Sequence, residues 1–121
     1  MQFTDNKAIY LQIAEYMEEK ILAREWLPDE RIPAVRDLAA SLGVNYNTII
    51  RTYEWLQQKE AIYDKRGLGY FVAPDAPRKL AAERRSEFTS TILPHLFKKM
   101  TLLDFSITEL NELYHQNVKT K

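Results

Sequence analysis

The chain has 121 residues with 17 basic and 17 acidic side chains, and 45% of its residues are hydrophobic. This composition indicates a folded globular protein and excludes an intrinsically disordered one. The lack of cysteine excludes disulfides and thiolate chemistry, and no apolar run is long enough for a membrane span. Because Met1 is followed by polar residues, we expect no secretion signal, no membrane partner and a cytoplasmic location.

The first predicted element is an amphipathic helix over residues 7–23. Its apolar stripe recurs every four residues, at Ile9, Ile13, Met17 and Ile21. Asp5 and Asn6 are available as N-terminal caps, and Glu18 belongs to the charged face that we expect to be solvated. Turn-forming residues at 26–29 should end the helix before that point.

A short strand and a second helix follow this turn. Arg31 and Ile32 can form only a very short strand, because Pro33 comes directly after them. Pro33 is expected to open the helix at its first turn, where its missing N–H costs nothing. The predicted buried face of the helix is Val35, Leu38, Ala39 and Leu42. Gly43 should end the helix in the left-handed backbone region.

A third helix and a hairpin come next. Asn45 is a good N-terminal cap for the helix, which should end near Lys59. Its predicted core positions are Ile49, Tyr53 and Leu56. Alternating residues at 62–65 and 69–73 surround a basic glycine turn at 66–68, which predicts two short antiparallel strands.

The composition changes after Pro77. Residues 78–100 have the pattern of a long helix that Pro94 should kink or interrupt. Ser106 and Glu109 have the spacing of a capping box, which predicts one more short helix.

Together these elements predict a winged helix-turn-helix, a mainly α fold with a small β wing, followed by a short C-terminal helical tail. Residues 9–73 resemble the GntR family of bacterial transcription regulators. The resembling strings keep the order and spacing of the family, and they are Ile9–Ile13, Ile32–Ala39, Gly43–Thr48 and Arg66–Val72. Arg24 and Asp29 depart from the pattern, because the family usually has glycine at these positions.

The rest of the chain resembles the short two-helix dimerisation tail of the YtrA-like subfamily. This resemblance implies a DNA-binding domain over residues 1–76 and a helical dimerisation tail over residues 77–121. Residues 1–75 carry 9 basic and 12 acidic side chains. A DNA-binding domain with this balance must gather its basic residues on one face.

Candidate DNA-binding residues lie on the second helix, at the start of the third helix and in the wing. The resemblance implies that Arg36 contacts DNA, and the alternative is a solvated arginine or a local pair with Glu30 or Asp37. Polar side chains opposite the core of the third helix can reach base edges, although the same types are ordinary near helix starts. Basic residues beside a glycine suit a minor groove, or form a routine hairpin turn. The full set is Arg36, Asn45, Tyr46, Asn47, Thr48, Arg51, Lys65, Arg66 and Gly67.

The tail carries more large apolar side chains than one helix pair can bury, which predicts self-association. The candidate dimerisation residues are Phe88, Ile92, Leu96, Phe97, Leu103, Phe105, Leu110 and Leu113.

These features predict a sequence-specific transcription regulator that binds an inverted-repeat DNA operator as a homodimer, with repression implied by the resemblance. The alternative is a winged-helix protein-interaction module that does not read DNA, which would present an apolar patch instead of a polar recognition helix. A ligand sensor is a third class, and the existence of a small-molecule effector stays open. His95 and His115 are isolated, and the sequence has no nucleophile motif or phosphate-binding loop. We therefore expect neither enzymatic activity nor a metal or cofactor site.

Overall fold

The computed structural model describes residues 1–4 and 6–118, which form helices and a two-stranded antiparallel wing. In chain order the elements are α1 (Ile9–Leu22), α2 (Val35–Leu42), α3 (Tyr46–Gln58), β1 (Ile62–Lys65), β2 (Gly69–Val72), α4 (Ala76–Glu87), a π-helical segment (Phe88–Ile92), α5 (Leu93–Leu102) and α6 (Ile107–Val118). This order confirms the predicted winged helix-turn-helix. Within the described ranges, no helix is long and apolar enough to cross a membrane.

The chain divides into two compact units, Met1–Ala82 and a second unit that begins at Glu83. The start of α4 belongs to the first unit, because Ala76 and Leu80 are buried in the same core as α1 and α3. Pro77 lies within the first turn of α4, where proline is tolerated, so this helix starts before the position expected from the sequence.

The assignment of separate roles to residues 1–76 and 77–121 stays a prediction. Residues 119–121 of the predicted tail lie outside the described residues.

Most of the predicted apolar stripe of α1 forms the core of the first unit. Ile13, Met17 and Ile21 are fully buried, whereas Ile9 at the start of the stripe is exposed. The three predicted core residues of α3 are also buried, and they are Ile49, Tyr53 and Leu56. Because α3 packs against α1, α2 and β1, it holds the first unit together.

The expectation that Glu18 is solvated is wrong. Its side chain is buried where α1 packs against α3, and Lys59 Nζ donates to its carboxylate at 2.6 Å. The two residues are 41 positions apart in the sequence, so the periodicity of α1 alone cannot predict that they pair. A buried carboxylate needs such a partner, because leaving it unpaired away from water is costly.

The expected capping of α1 is also wrong for Asn6. The cap position is Ala8, which makes no side-chain hydrogen bond to the helix. Asn6 instead accepts a hydrogen bond from the Thr4 hydroxyl at 2.7 Å. Asp5, the other expected cap, lies outside the described residues.

The start of α2 differs from the expectation in a similar way. The helix begins at Val35 after the cap residue Ala34, so Pro33 precedes the helix and does not lie in its first turn. The Pro33 carbonyl accepts a hydrogen bond from the Tyr53 hydroxyl at 2.6 Å. The loop before α2 is thereby fixed to α3.

Several turns of the first unit have a left-handed backbone, and those at Arg24, Asp29 and Gly43 bear on the sequence predictions. Gly43 ends α2 with φ +68°, as predicted. Arg24 and Asp29, which replace the glycines usual in the resembled family, have φ values of +64° and +63°. The backbone conformation that glycine favours is therefore kept at both positions without glycine.

The wing is the predicted hairpin. Ile62 lies opposite Val72, and Lys65 lies opposite Gly69 at the end next to the turn. The short strand expected before α2 is present as a single antiparallel bridge between Arg31 and Phe71.

In the second unit the predicted long helix is interrupted just before Pro94. The α-helical pattern ends at Glu87, and the Leu93 N–H donates to the carbonyl of Phe88, five residues back. The wider π-helical turn therefore immediately precedes the residue that lacks an N–H. The helix predicted after Ser106 is present as α6, and the Ser106 hydroxyl oxygen caps it by accepting from the Glu109 N–H at 3.1 Å.

Candidate nucleic-acid interface

The start of α3 is organised by its cap. The side-chain oxygen of Asn45 accepts a hydrogen bond from the Asn47 N–H at 2.8 Å. One backbone N–H of the first turn is thereby satisfied, and the next, that of Thr48, donates to the Asn45 carbonyl at 3.0 Å. Asn45 thus has a structural role, and its amide nitrogen is still free of the cap.

The face of α3 opposite the core is polar. Tyr46, Asn47 and Arg51 are exposed and Thr48 is half-buried, which agrees with the orientation predicted from the helix wheel. Ile50 is half-buried at the edge of this face, and the sequence reasoning did not single it out. An apolar side chain at such a position can contact a thymine methyl group.

The guanidinium of Arg51 is held by an aromatic ring from α1. Its central carbon lies 4.0 Å from the centroid of the Tyr10 ring, and the ring of Trp55 meets Tyr10 edge-on at 6.4 Å. Thr52, which is buried, donates its hydroxyl hydrogen to the Tyr10 carbonyl at 3.0 Å. The sequence does not predict the contact between Tyr10 and Arg51, because the two residues are 41 positions apart and no local pattern signals their contact.

Arg36 lies exposed on α2. Among the described residues it takes part in no ion pair, so the local pair with Glu30 or Asp37 is not formed and Arg36 is a solvated arginine. The Glu30 carboxylate accepts instead from the Leu27 N–H at 3.2 Å. The charge of Arg36 is thus available to a partner outside the first unit.

The tip of the wing is basic and exposed. Lys65, Arg66 and Gly67 are all solvent-accessible, and Gly67 has φ +80° with open space where a side chain would begin. The turn is closed by the Leu68 N–H, which donates to the Lys65 carbonyl at 2.8 Å. The glycine is therefore required by the turn itself, whether or not it also approaches a ligand.

Tyr53 connects the candidate elements beneath this surface. Its ring meets the Tyr70 ring of the wing edge-on at 4.9 Å, and its hydroxyl bonds the loop before α2. Burial raises the pKa of Tyr53 far above its ordinary value, so the hydroxyl remains a donor. The candidate residues on α2, α3 and the hairpin therefore belong to one tightly connected unit.

A polar recognition helix flanked by a basic hairpin defines the winged helix-turn-helix class of DNA-binding proteins. Residues 9–72 match the family model described as bacterial regulatory proteins, gntR family. The chain belongs to this family, which consists of DNA-binding transcription regulators, a class distinct from enzymes.

Two relatives extend the comparison. The chain is 34% identical over 111 residues to the uncharacterized HTH-type transcriptional regulator YhcF of Bacillus subtilis, and the match covers 92% of this chain and 90% of YhcF. It is 33% identical over 72 residues to the HTH-type transcriptional repressor YtrA of the same species, covering 60% of this chain and 55% of YtrA.

Solved structures agree with the family. A GntR-family putative transcriptional regulator from Bacteroides thetaiotaomicron is 37% identical with a TM-score of 0.72, and the match covers 93% of this chain and 98% of that one. The DNA-binding domain of AraR, solved in complex with operator ORX1, is 28% identical with a TM-score of 0.54. That match covers 60% of this chain and 93% of the AraR domain.

Proposed function

We propose that this protein is a YtrA-like transcriptional repressor that binds an inverted-repeat operator as a homodimer. The observation that carries the proposal is the polar outer face of α3 beside a basic wing, in a family of DNA-binding regulators. The similarity to a domain solved with its operator supports double-stranded DNA as the partner. The similarity to a repressor supports the direction of regulation.

In this proposal the first unit reads DNA with α3 and positions itself with charged groups. Asn47, Thr48 and Arg51 contact base edges, since amide, hydroxyl and guanidinium groups match the hydrogen-bonding edges of the major groove. Arg36 contacts phosphate from α2, and Asn45 and Tyr46 contact the DNA at the start of α3. Lys65, Arg66 and Gly67 place the wing in the adjacent minor groove.

The second unit supplies the dimer. A homodimer matches two half-sites of an inverted repeat, because a two-fold axis in the protein then coincides with that of the operator. Self-association through the tail would cover Phe88, Ile92, Leu96, Phe97, Leu103, Phe105, Leu110 and Leu113. Contacts from one domain of this size are too few for tight specific binding, so pairing also raises the affinity.

The test is a binding measurement on the sequence that the full chain selects from a random DNA library. Asn47→Ala and Arg51→Ala should each weaken binding to the selected duplex by roughly 1–3 kcal/mol at fixed salt. Gln58→Ala, an exposed residue at the other end of α3, is the matched control and should have no effect.

If the full chain selects no sequence from the library, the proposal is contradicted and a protein-interaction module is favoured. Selection of a sequence that both alanine variants bind with unchanged affinity would remove α3 as the reading element.

A further inference from the structure

We propose that Arg31 is a further DNA-phosphate contact of the wing, held on the outer face of the hairpin next to Lys65. This inference rests on the proposed DNA-binding function and adds to it a residue that lies in neither the recognition helix nor the hairpin. The contact would be made by a side chain from the loop between α1 and α2, which crosses the wing beside β2.

The two faces of the hairpin have different environments. On the inner face Ile62 and Val72 are buried, and the Tyr70 ring packs against Tyr53 of α3. On the outer face the rings of Tyr63 and Phe71 stack, with 5.7 Å between their centroids and 19° between their planes. The outer face is therefore the side of the wing that a partner can reach.

Arg31 belongs to this outer face. It forms an antiparallel bridge with Phe71, so the two side chains project from the same side of the sheet. The backbone beside Arg31 is hydrogen-bonded to the wing, because the Ile32 N–H donates to the Tyr70 carbonyl at 2.9 Å. This hydrogen bond fixes the starting point of the Arg31 side chain relative to the wing.

Gly69 provides the space that the guanidinium occupies. A methyl group on Gly69 would lie only 2.9 Å from Nε of Arg31 and 3.4 Å from its Nη2. The arginine side chain therefore runs along β2 toward the turn at 66–68, over the position where another residue would carry a side chain. Its guanidinium therefore lies at the Lys65–Gly69 pair, which is the residue pair of the hairpin next to the turn.

Lys65 reaches the same region from the other strand. It lies directly opposite Gly69, and its ammonium group lies 5.5 Å from the centroid of the Phe71 ring. The two cations thus lie on the same outer face of the hairpin, the guanidinium at Gly69 and the ammonium group at the Phe71 ring.

No carboxylate compensates Arg31 within the described part of the chain. Asp29, two residues before it, accepts a hydrogen bond from the Tyr63 hydroxyl at 2.9 Å. Glu30 is engaged with the Leu27 N–H, and Arg31 forms no ion pair within residues 1–4 and 6–118. A guanidinium with free donors beside an ammonium group suits a phosphate oxygen pair, which it can bind with two hydrogen bonds.

The position behind the turn favours a phosphate over a base. Arg66 and Gly67 form the tip of the wing, whereas the guanidinium of Arg31 lies alongside β2 at Gly69. If the tip enters a groove, a group at the residue pair next to the turn meets the sugar-phosphate strand that borders the groove. The Arg31 contribution should therefore be independent of base sequence and sensitive to salt.

The experiment uses the full chain with the duplex that it selects and with a random duplex of equal length. Arg31→Gln should weaken binding to both duplexes by roughly tenfold, and the slope of log affinity against log salt should fall by about one unit. Arg31→Lys keeps the charge, so it should keep most of the slope. The matched control is Arg24→Gln, an exposed arginine of the same unit, which should bind as the parent protein does.

Unchanged affinity and slope for Arg31→Gln, with the same thermal unfolding midpoint as the parent, would overturn the inference. So would a loss confined to one base position of the selected duplex, because that result would make Arg31 a base-reading residue. Failure of the proposed function is distinguishable, since in that case the parent protein itself would not bind the duplexes.

Discussion

At the scale of single residues, Tyr53 links three parts of the first unit. Its hydroxyl donates to the Pro33 carbonyl at 2.6 Å, and its ring packs edge-on against Tyr70 of the wing. Burial is the main reason that its pKa is raised from an ordinary value of 10.0. The charged form of the side chain is thus disfavoured in the folded protein, and the neutral form is a stabilising donor.

We expect Tyr53→Phe to lower the free energy of unfolding by about 1 kcal/mol at neutral pH, because the buried carbonyl loses its donor. Since the folded pKa is raised, the contribution is complete below pH 10 and is lost as the pH rises toward the folded pKa. The parent protein should therefore lose stability more steeply above pH 10 than Tyr53→Phe.

Urea denaturation at pH 8 and at pH 10.5 measures both effects. Tyr46→Phe, which alters an exposed tyrosine, is the control and should follow the parent at each pH. Equal losses above pH 10 in the parent and in Tyr53→Phe would contradict the assignment of this pH dependence to Tyr53.

Residues of this kind show where sequence reasoning stops. Asn45 could be predicted as a cap because its partner, Asn47, is two residues away. The burial of Glu18 and the stacking of Arg51 could not be predicted, since each depends on a partner about 40 residues distant. The wheel placed Arg51 on the correct face, but the identity of its neighbour depends on how α1 packs against α3.

At the scale of elements, α1 and α2 end in the same type of turn with different residues. After α1, the Arg24 N–H donates to the Ile21 carbonyl and the Glu25 N–H donates to the Lys20 carbonyl, at 3.1 and 2.9 Å. After α2, Gly43 occupies the position equivalent to Arg24, with φ +68° against +64°. Both turns have the hydrogen-bonding pattern of a Schellman motif, which favours glycine at the left-handed position.

Exchanging the residue types should therefore have opposite effects. We expect Arg24→Gly to raise the free energy of unfolding and Gly43→Arg to lower it, each by about 1 kcal/mol, because a Cβ is strained at positive φ. A Cβ added at Gly43 would meet no atom within 4 Å beyond the adjacent residues, so the loss in Gly43→Arg would reflect the backbone and not a clash.

Chemical denaturation of the two variants provides the measurement, and Arg24→Gln separates the loss of the arginine side chain from the gain of glycine. Destabilisation by Arg24→Gly relative to Arg24→Gln would contradict this explanation of the turn.

The elements themselves were predicted well because their signals are local. Gly43, the capping box at Ser106 and the alternating strands of the hairpin each identified a boundary in the correct place. The sequence predicts the start of α4 too late, because Pro77 resembles a boundary although the first turn of a helix tolerates proline. Its burial, together with Ala76, depends on the tertiary core of the first unit.

At the scale of the whole molecule, the second unit lacks an interior of its own. None of the described residues from 83 to 118 is buried, although this segment is rich in large apolar side chains. Leu102 and Leu103 are 73% and 76% exposed. Burying each such side chain is worth roughly 1.5–3 kcal/mol, so covering several of them would strongly favour association.

We expect the full chain to sediment as a dimer at micromolar concentration, and Leu103→Asp to shift it toward the monomer, because a carboxylate in a desolvated interface lacks a partner. Leu27→Asp is a matched control, since it places the same charge at an exposed leucine of the first unit.

Truncation after Ala82 keeps the whole core of the first unit, including Leu80, and should give a folded monomer. A monomeric full chain, or a truncated chain that still sediments as a dimer, would contradict the proposed role of the tail. Sequence predicted the apolar surface, but only the burial of each side chain shows that the first unit has its own core while the second does not.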